Sequence, residues 1–191
     1  MNASILGREE VLLNSLLRFY NPDPPNNQNL NILAAVSKQK TIISLREMDF
    51  TVTNYSNNNK VSYKLKNGET FNMYLDYKSQ LRGYSKRLLD PFCRRQRIYL
   101  DFATKTPIFL QDSEIAEYKN SEDGIVTTIG QLNFFRWAIT NEVIDYCFTH
   151  KEEIDREMDQ QDKNKTAKKA ELKKDKDKSQ EDTIKVIIQF P

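Results

Sequence analysis

The sequence predicts an α+β fold: a small antiparallel sheet with a central hairpin, packed against an aromatic-rich helix and followed by a charged flexible segment that ends in a strand. Three observations carry that prediction. VSYKLKNGETFNMYL, residues 61–75, alternates apolar and polar side chains on either side of an Asn-Gly pair, the pattern of a hairpin. TTIGQLNFFRWAITNEVIDY, residues 127–146, places apolar side chains at helical spacing nearly all round the helix. DKNKTAKKAELKKDKDK, residues 162–178, has eight Lys, four acidic residues and no aromatic, so it cannot bury enough apolar area to offset chain entropy. Four segments follow: 1–25, an N-terminal helix and Pro-rich turn; 26–158, the α+β core; 159–182, a Lys-rich linker; and 183–191, a C-terminal strand.

In chain order, REEVLLNSLLRFY sets Val11, Leu12, Leu16 and Phe19 at helical spacing, and NPDPPNN closes that helix with three prolines in four positions. NLNILAAVSKQ reads as a second short helix or a turn. TIISLREMDFTVTNYS then shifts toward β-branched and aromatic residues, which places the start of the sheet near residue 41. In the hairpin, a two-residue Asn67-Gly68 turn would set Val61, Tyr63 and Leu65 opposite Thr70, Asn72 and Tyr74. A three-residue loop of Lys66, Asn67 and Gly68 instead pairs Tyr63 with Phe71 and Val61 with Met73 on one apolar face. The second register is preferred, because Gly68 accepts the left-handed conformation at no steric cost.

After the hairpin, Tyr77, Leu81, Tyr84 and Leu88 recur on one helix face, while Lys78, Arg82 and Lys86 recur every four residues on another. Pro91 and the residue before it end this helix near Asp90, and the chain turns through DPFCRR. Ile98, Leu100 and Phe102 alternate with Tyr99 and Asp101 as a half-buried strand. QDSEIAEYKNSEDG, 111–124, reads as an acidic loop able to screen the basic surface. Thr128 followed by Gln131 has the spacing of a capping box, so a helix is expected from about 129 to 158. The final TIKVIIQF has a strand pattern that needs an edge, either in the chain's own sheet or in another chain.

The segment YKSQLRGYSKRLLDPFCRRQR, residues 77–97, sets Lys78, Arg82, Lys86, Arg87, Arg94, Arg95 and Arg97 against a single Asp. With no acidic residue interleaved to form i,i+4 pairs, the stripe repels itself. Phosphates would relieve that repulsion, and Tyr74 and Phe92 are candidate stacking partners for a single strand. The alternative is the solvated face of an ordinary helix, and Tyr77 and Tyr84 lie on the face that docks. A net charge of +2 is too small to choose a partner, so any polyanion binding has to come from local clustering.

Catalytic signatures are missing across the main classes. Five glycines form no phosphate loop, and there is neither a His pair for zinc nor a Gly-x-Ser-x-Gly elbow. His150, the one histidine, reads as a surface residue beside Lys151 and Glu152. Cys93 sits among arginines that favour a thiolate, yet no His stands near it in sequence to act as its base. Asp112, Glu114 and Glu117 have no metal-specific spacing. No enzyme, no cofactor and no metal site is expected. Cys93 and Cys147 are not spaced as a metal motif and MNASILGREE lacks a signal peptide's pattern, so a reduced, non-secreted setting is expected. No apolar run approaches the roughly 18 residues that span a bilayer, so a soluble protein is expected.

The stretches YKSQLRGYSKRLLDPFCRRQRI and TTIGQLNFFRWAITNEVIDY, in that order, resemble small proteins encoded by nucleocytoplasmic large DNA viruses such as the iridovirus and mimivirus groups. The resemblance covers roughly residues 61 to 158, with the final strand as a weaker match. It implies a viral setting, in the virion or the infected host cell cytoplasm, and carries over no catalytic residue. Two functions stay open: a nucleic-acid-binding protein, or a virion or assembly protein whose basic surface and C-terminal strand bind protein partners.

Overall fold

The computed structural model describes residues 7–20, 28–38, 41–104 and 106–166. The Pro-rich turn, most of the Lys-rich segment and the expected C-terminal strand lie outside the described residues. The chain divides into one compact unit, Met1–Lys151, and a second, Glu152–Pro191. In the second, the described residues continue a helix that runs from 151 to 166.

The first unit is α+β, as the sequence predicts. Helices α1 (Gly7–Tyr20) and α2 (Gln28–Ser37) come first. Leu12, Leu13, Leu16 and Tyr20 form the buried face of α1, and Val11 is 71% exposed, so the apolar stripe is rotated from the expected one. Tyr20 donates its hydroxyl proton to the Leu132 carbonyl at 2.7 Å. That bond ties α1 to the central helix.

Residues 45–58 overturn the expected strand. They form α3 (Leu45–Phe50), a π-helical turn (Thr51–Tyr55) and α4 (Ser56–Asn58). The Ser44 hydroxyl accepts from Glu47 N at 3.2 Å while the Glu47 carboxylate accepts from Ser44 N at 2.6 Å, a complete capping box. Met48, Val52 and Tyr55 then recur every three or four residues and are buried. Burial on that period outweighs the strand propensity of the β-branched residues.

The hairpin, β1 (Ser62–Lys64) and β2 (Thr70–Asn72), has the preferred register, with Tyr63 opposite Phe71. Leu65 N donates to Glu69 O at 2.9 Å and encloses a three-residue loop, in which Gly68 has φ 86°. The hairpin forms a sheet of its own. A second antiparallel sheet has the order β4 (Pro107–Phe109), β3 (Ile98–Asp101), β5 (Gly124–Thr127), and the strand expected to be half-buried at 98–102 is its central one. Ile98, Tyr99 and Leu100 are all buried, so that strand is covered on both faces.

Helix α5 (Met73–Gly83) follows β2 and stops seven residues before Asp90, where the sequence placed its end. Tyr84 leaves the helical region at φ −105° and ψ 138°, and a short 3-10 turn, Lys86–Leu88, follows. The Gly83 carbonyl at the helix end accepts from Arg8 Nη2 at 2.8 Å. Segment 111–124, expected as a loop, contains the short helix α6 (Ile115–Tyr118). None of its carboxylates forms an ion pair with a residue of 77–97 among the described residues.

Helix α7 (Ile129–Thr140) is the centre of the unit. Thr128 caps it, accepting from Gln131 N at 3.1 Å. Leu132, Phe134, Phe135, Trp137 and Ala138 are buried. Tyr77 meets Phe134 edge-on at 6.1 Å and Trp137 at 5.0 Å, and Phe71 reaches Trp137 at 6.2 Å. The expected continuous helix to 158 is broken. Glu142 takes φ 55° between α7 and α8 (Val143–Thr149), and His150 lies outside the helical region between α8 and the helix from 151. The hairpin holds that first break: Tyr63 donates its hydroxyl proton to Asn141 O at 2.7 Å, and Lys66 N donates to the Glu142 carboxylate at 2.9 Å.

Candidate binding surface

The segment from Lys78 to Arg97 is assembled from a helix end, a 3-10 turn and a tight turn, so it is not the single stripe the period of four implies. Lys78 and Arg82 stand one helical turn apart on α5 and are exposed. Lys86 and Arg87 belong to the 3-10 turn. Asp90 then organises the next turn: its carboxylate accepts from Phe92 N at 2.8 Å and its carbonyl from Cys93 N at 3.1 Å. Pro91 supplies the fixed φ that such a turn favours at its second position. Arg94 and Arg95 leave this turn exposed to solvent.

Helix α7 clamps the part of the segment around Leu88 and Pro91: Asn133 Nδ2 donates to Leu88 O at 2.7 Å and Gln131 Nε2 to Pro91 O at 2.9 Å. From α5, the Tyr77 hydroxyl donates to Leu89 O at 3.3 Å. Gly130 makes the approach close: a Cβ there would meet the Arg87 carbonyl oxygen at 2.3 Å and the Cys93 Cβ at 3.2 Å. The arginines after Pro91 are therefore mounted on a fixed platform, which lowers the entropy lost when they engage a ligand.

The seven basic side chains differ in what they are free to do. Arg87 forms an ion pair with the buried Glu9 of α1, so its charge is committed. Lys86 lies within electrostatic reach of the half-buried Asp49. Burial raises the pKa of the Asp49 carboxyl, with Asp90 adding to the rise and Lys86 opposing it. Lys78 sits over the Tyr74 ring, 5.4 Å from its centroid, so Tyr74 already holds a cation on the face a base would use. Arg97 donates from Nε to Arg94 O at 3.3 Å and turns toward a cavity beside β5. Arg82, Arg94 and Arg95 remain, with no carboxylate partner among the described residues. Phe92, 44% exposed, precedes Arg94 and Arg95 in the same turn.

Two further cations come to this region from positions outside residues 77–97. Arg8 reaches across 75 residues to the end of α5, and Arg136 bonds Ser15 Oγ at 3.0 Å and Asn133 Oδ1 at 2.7 Å. No local pattern signals either one.

Both cysteines are free and buried. Burial pushes the Cys147 thiol up to about 12, with a hydrogen bond to the Thr51 side chain acting the other way. His150 stacks on Tyr146 at 4.0 Å, and its Nδ1 lies 3.0 Å from the Tyr146 carbonyl oxygen. Among the described residues no three His, Cys, Asp or Glu side chains converge as a metal site, and no helix is long and apolar enough to cross a membrane.

Fold and surface thus define an α+β chain carrying a clamped basic loop. Residues 6–187 match a family described as "Family of unknown function (DUF7197)", and the chain belongs to it. It is 33% identical over 183 residues to "Uncharacterized protein L507" of Acanthamoeba polyphaga mimivirus, which agrees with the resemblance to proteins of large DNA viruses. That alignment covers 94% of this chain and 63% of the relative, so the chain spans less than two thirds of the relative's length. No solved structure matches the chain.

Proposed function

We propose that this protein is a non-enzymatic binding protein of a large DNA virus that contacts nucleic acid through Arg82, Arg94 and Arg95, in the virion or the infected host cell cytoplasm. One observation carries the reading: three exposed guanidinium groups lack a carboxylate partner among the described residues, and two of them project from a turn fixed to α7. Guanidinium groups match phosphate oxygens with paired N–H donors, and their contacts release condensed counterions. Phe92 supplies an exposed aromatic face on which an unpaired base can stack.

A second reading, an assembly role with an acidic protein partner, draws support from β4. Ile108 and Phe109 on this edge strand are 44% and 42% exposed, an apolar surface that a protein partner would cover. Fluorescence anisotropy with labelled single- and double-stranded oligonucleotides separates the two. The nucleic-acid reading expects measurable binding at about 50 mM salt that weakens steeply as salt rises. Absence of affinity at that salt would overturn it and leave the assembly role, in which free DNA or RNA fails to displace the protein partner.

A further inference from the structure

A cavity of about 260 Å³ lies beside the outer edge of β5, lined by Ser37, Lys38, Arg97, Ile115, Lys119 and the β5 residues Gly124 to Val126. Three of these side chains are cations and none is a carboxylate. Lys38 donates to the carbonyls of Ser121 and Glu122, at 3.1 and 3.0 Å. Those neutral acceptors, with the Phe102 ring centroid 5.0 Å from the ammonium, hold it in place without cancelling its charge, and its third N–H has no hydrogen-bond acceptor among the described residues. Lys119 is exposed on the far wall and has no partner among the described residues. Arg97 enters from the start of β3 with its Nε held by Arg94 O, which leaves the other guanidinium donors available.

The floor adds backbone donors. Phe102 N donates to Asp123 O at 2.7 Å, so the ladder between β3 and β5 bonds through Asp123, Ile125 and Thr127. Antiparallel strands alternate bonded and non-bonded pairs, which turns the N–H groups of Gly124 and Val126 away from β3. That direction is the open edge of β5, on the side of the cavity. Neither N–H has a partner among the described residues.

We propose that this cavity binds a phosphate group, as inorganic phosphate or a phosphate monoester, with Arg97, Lys38 and Lys119 matching its charge and the Gly124 and Val126 N–H groups taking its oxygens. Three converging cations repel one another in an empty cavity, and a tetrahedral dianion relieves that repulsion while using the idle donors. At about 260 Å³ the cavity has room for one such group, and residues of β5 line it, whereas Arg82, Arg94 and Arg95 are exposed to solvent. The proposal goes beyond the nucleic-acid reading and stands without it.

The test is a titration of the full chain with inorganic phosphate at constant ionic strength, followed in proton–nitrogen correlation spectra. Saturable shifts at the Gly124 and Val126 amides are expected, with none when chloride replaces phosphate. Arg97→Gln and Lys119→Gln should each weaken the midpoint about tenfold, the loss of one charge-assisted hydrogen bond. Lys119→Arg should restore it. Arg82→Gln with Arg94→Gln should leave it unchanged, so a failed pocket and a failed nucleic-acid surface are told apart. An oligonucleotide with a 5′-phosphate that perturbs the same amides, when its 5′-hydroxyl twin does not, identifies a nucleic-acid end as the source. A response limited to inorganic phosphate and mononucleotides identifies a free phosphate. Shifts spread evenly over the basic surface, or an undiminished response in the folded Arg97→Gln/Lys119→Gln double variant, would overturn the proposal.

Discussion

At the scale of single residues, burial decides what each polar group can do. Trp137 is buried against Tyr77, Phe71 and Phe134, and its indole N–H donates to the Asp76 carboxylate at 2.6 Å. Trp137→Ala removes the largest aromatic of the core and leaves that carboxylate without its donor, so urea unfolding followed by circular dichroism should show a loss of about 3–5 kcal/mol. A loss below about 1 kcal/mol would place the indole outside the core. Asp49 makes a prediction of opposite sign. Its pKa is raised from the ordinary 3.8, first by burial and then by Asp90. A carboxyl of raised pKa holds its proton more tightly folded than unfolded, so its contribution is full below the unfolded value and is lost as pH rises through the folded one. Asp49→Asn should therefore raise the melting temperature at pH 7, with the advantage vanishing toward pH 3; equal melting curves at pH 7 would refute it. Residue identities alone expose the cluster of seven cations but not their pairing. Glu9 stands 78 residues from Arg87, and no local spacing reveals that ion pair.

At the scale of elements, legibility follows how local the determining interaction is. The hairpin loop could be read because Gly68 and the alternating faces settle it within fifteen residues. Residues 45–58 read as a strand by their β-branched and aromatic content, whereas the Ser44–Glu47 capping box and burial on a helical period make them a helix. The breaks at Gly83 and Glu142 depend on distant partners, Arg8 in one case and the hairpin loop in the other. Gly130 links an element to the candidate surface. Gly130→Ala would force the Arg87 carbonyl and Cys93 away from α7, costing about 1–3 kcal/mol by overpacking. Because that shift moves the mount of Arg94 and Arg95, nucleic-acid affinity should fall in a variant whose charge is unaltered. Gly7→Ala, where a Cβ meets nothing within 4 Å, should leave affinity unchanged. Equal affinity for Gly130→Ala and the parent would mean that loop placement does not matter to binding.

At the scale of the whole molecule, a net charge of +2 supplies little long-range attraction, so any salt-dependent binding of the kind proposed has to come from a few local contacts. The sequence places the candidate cations within one stretch, and the folded chain divides them by environment: three guanidinium groups in solvent, Arg87 in an ion pair, Arg97 in a cavity, Lys86 near the Asp49 carboxylate. That division can be measured. Gln retains the aliphatic stem and helix propensity close to that of Arg, so Arg82→Gln, Arg94→Gln and Arg95→Gln together should leave the melting temperature unchanged, or raise it by relieving like-charge repulsion. If each guanidinium group neutralises one phosphate, the slope of log affinity against log salt should fall by roughly 2–3 units. Lys64→Gln, an exposed change on the hairpin, should leave that slope unaltered. Lys86→Gln is the sharper comparison, because sequence period alone makes Lys86 equal to Arg82. With Asp49 offsetting its charge, it should change the slope by less than any one of the three arginines, and a full unit of loss at Lys86 would show that phosphate displaces that carboxylate from it.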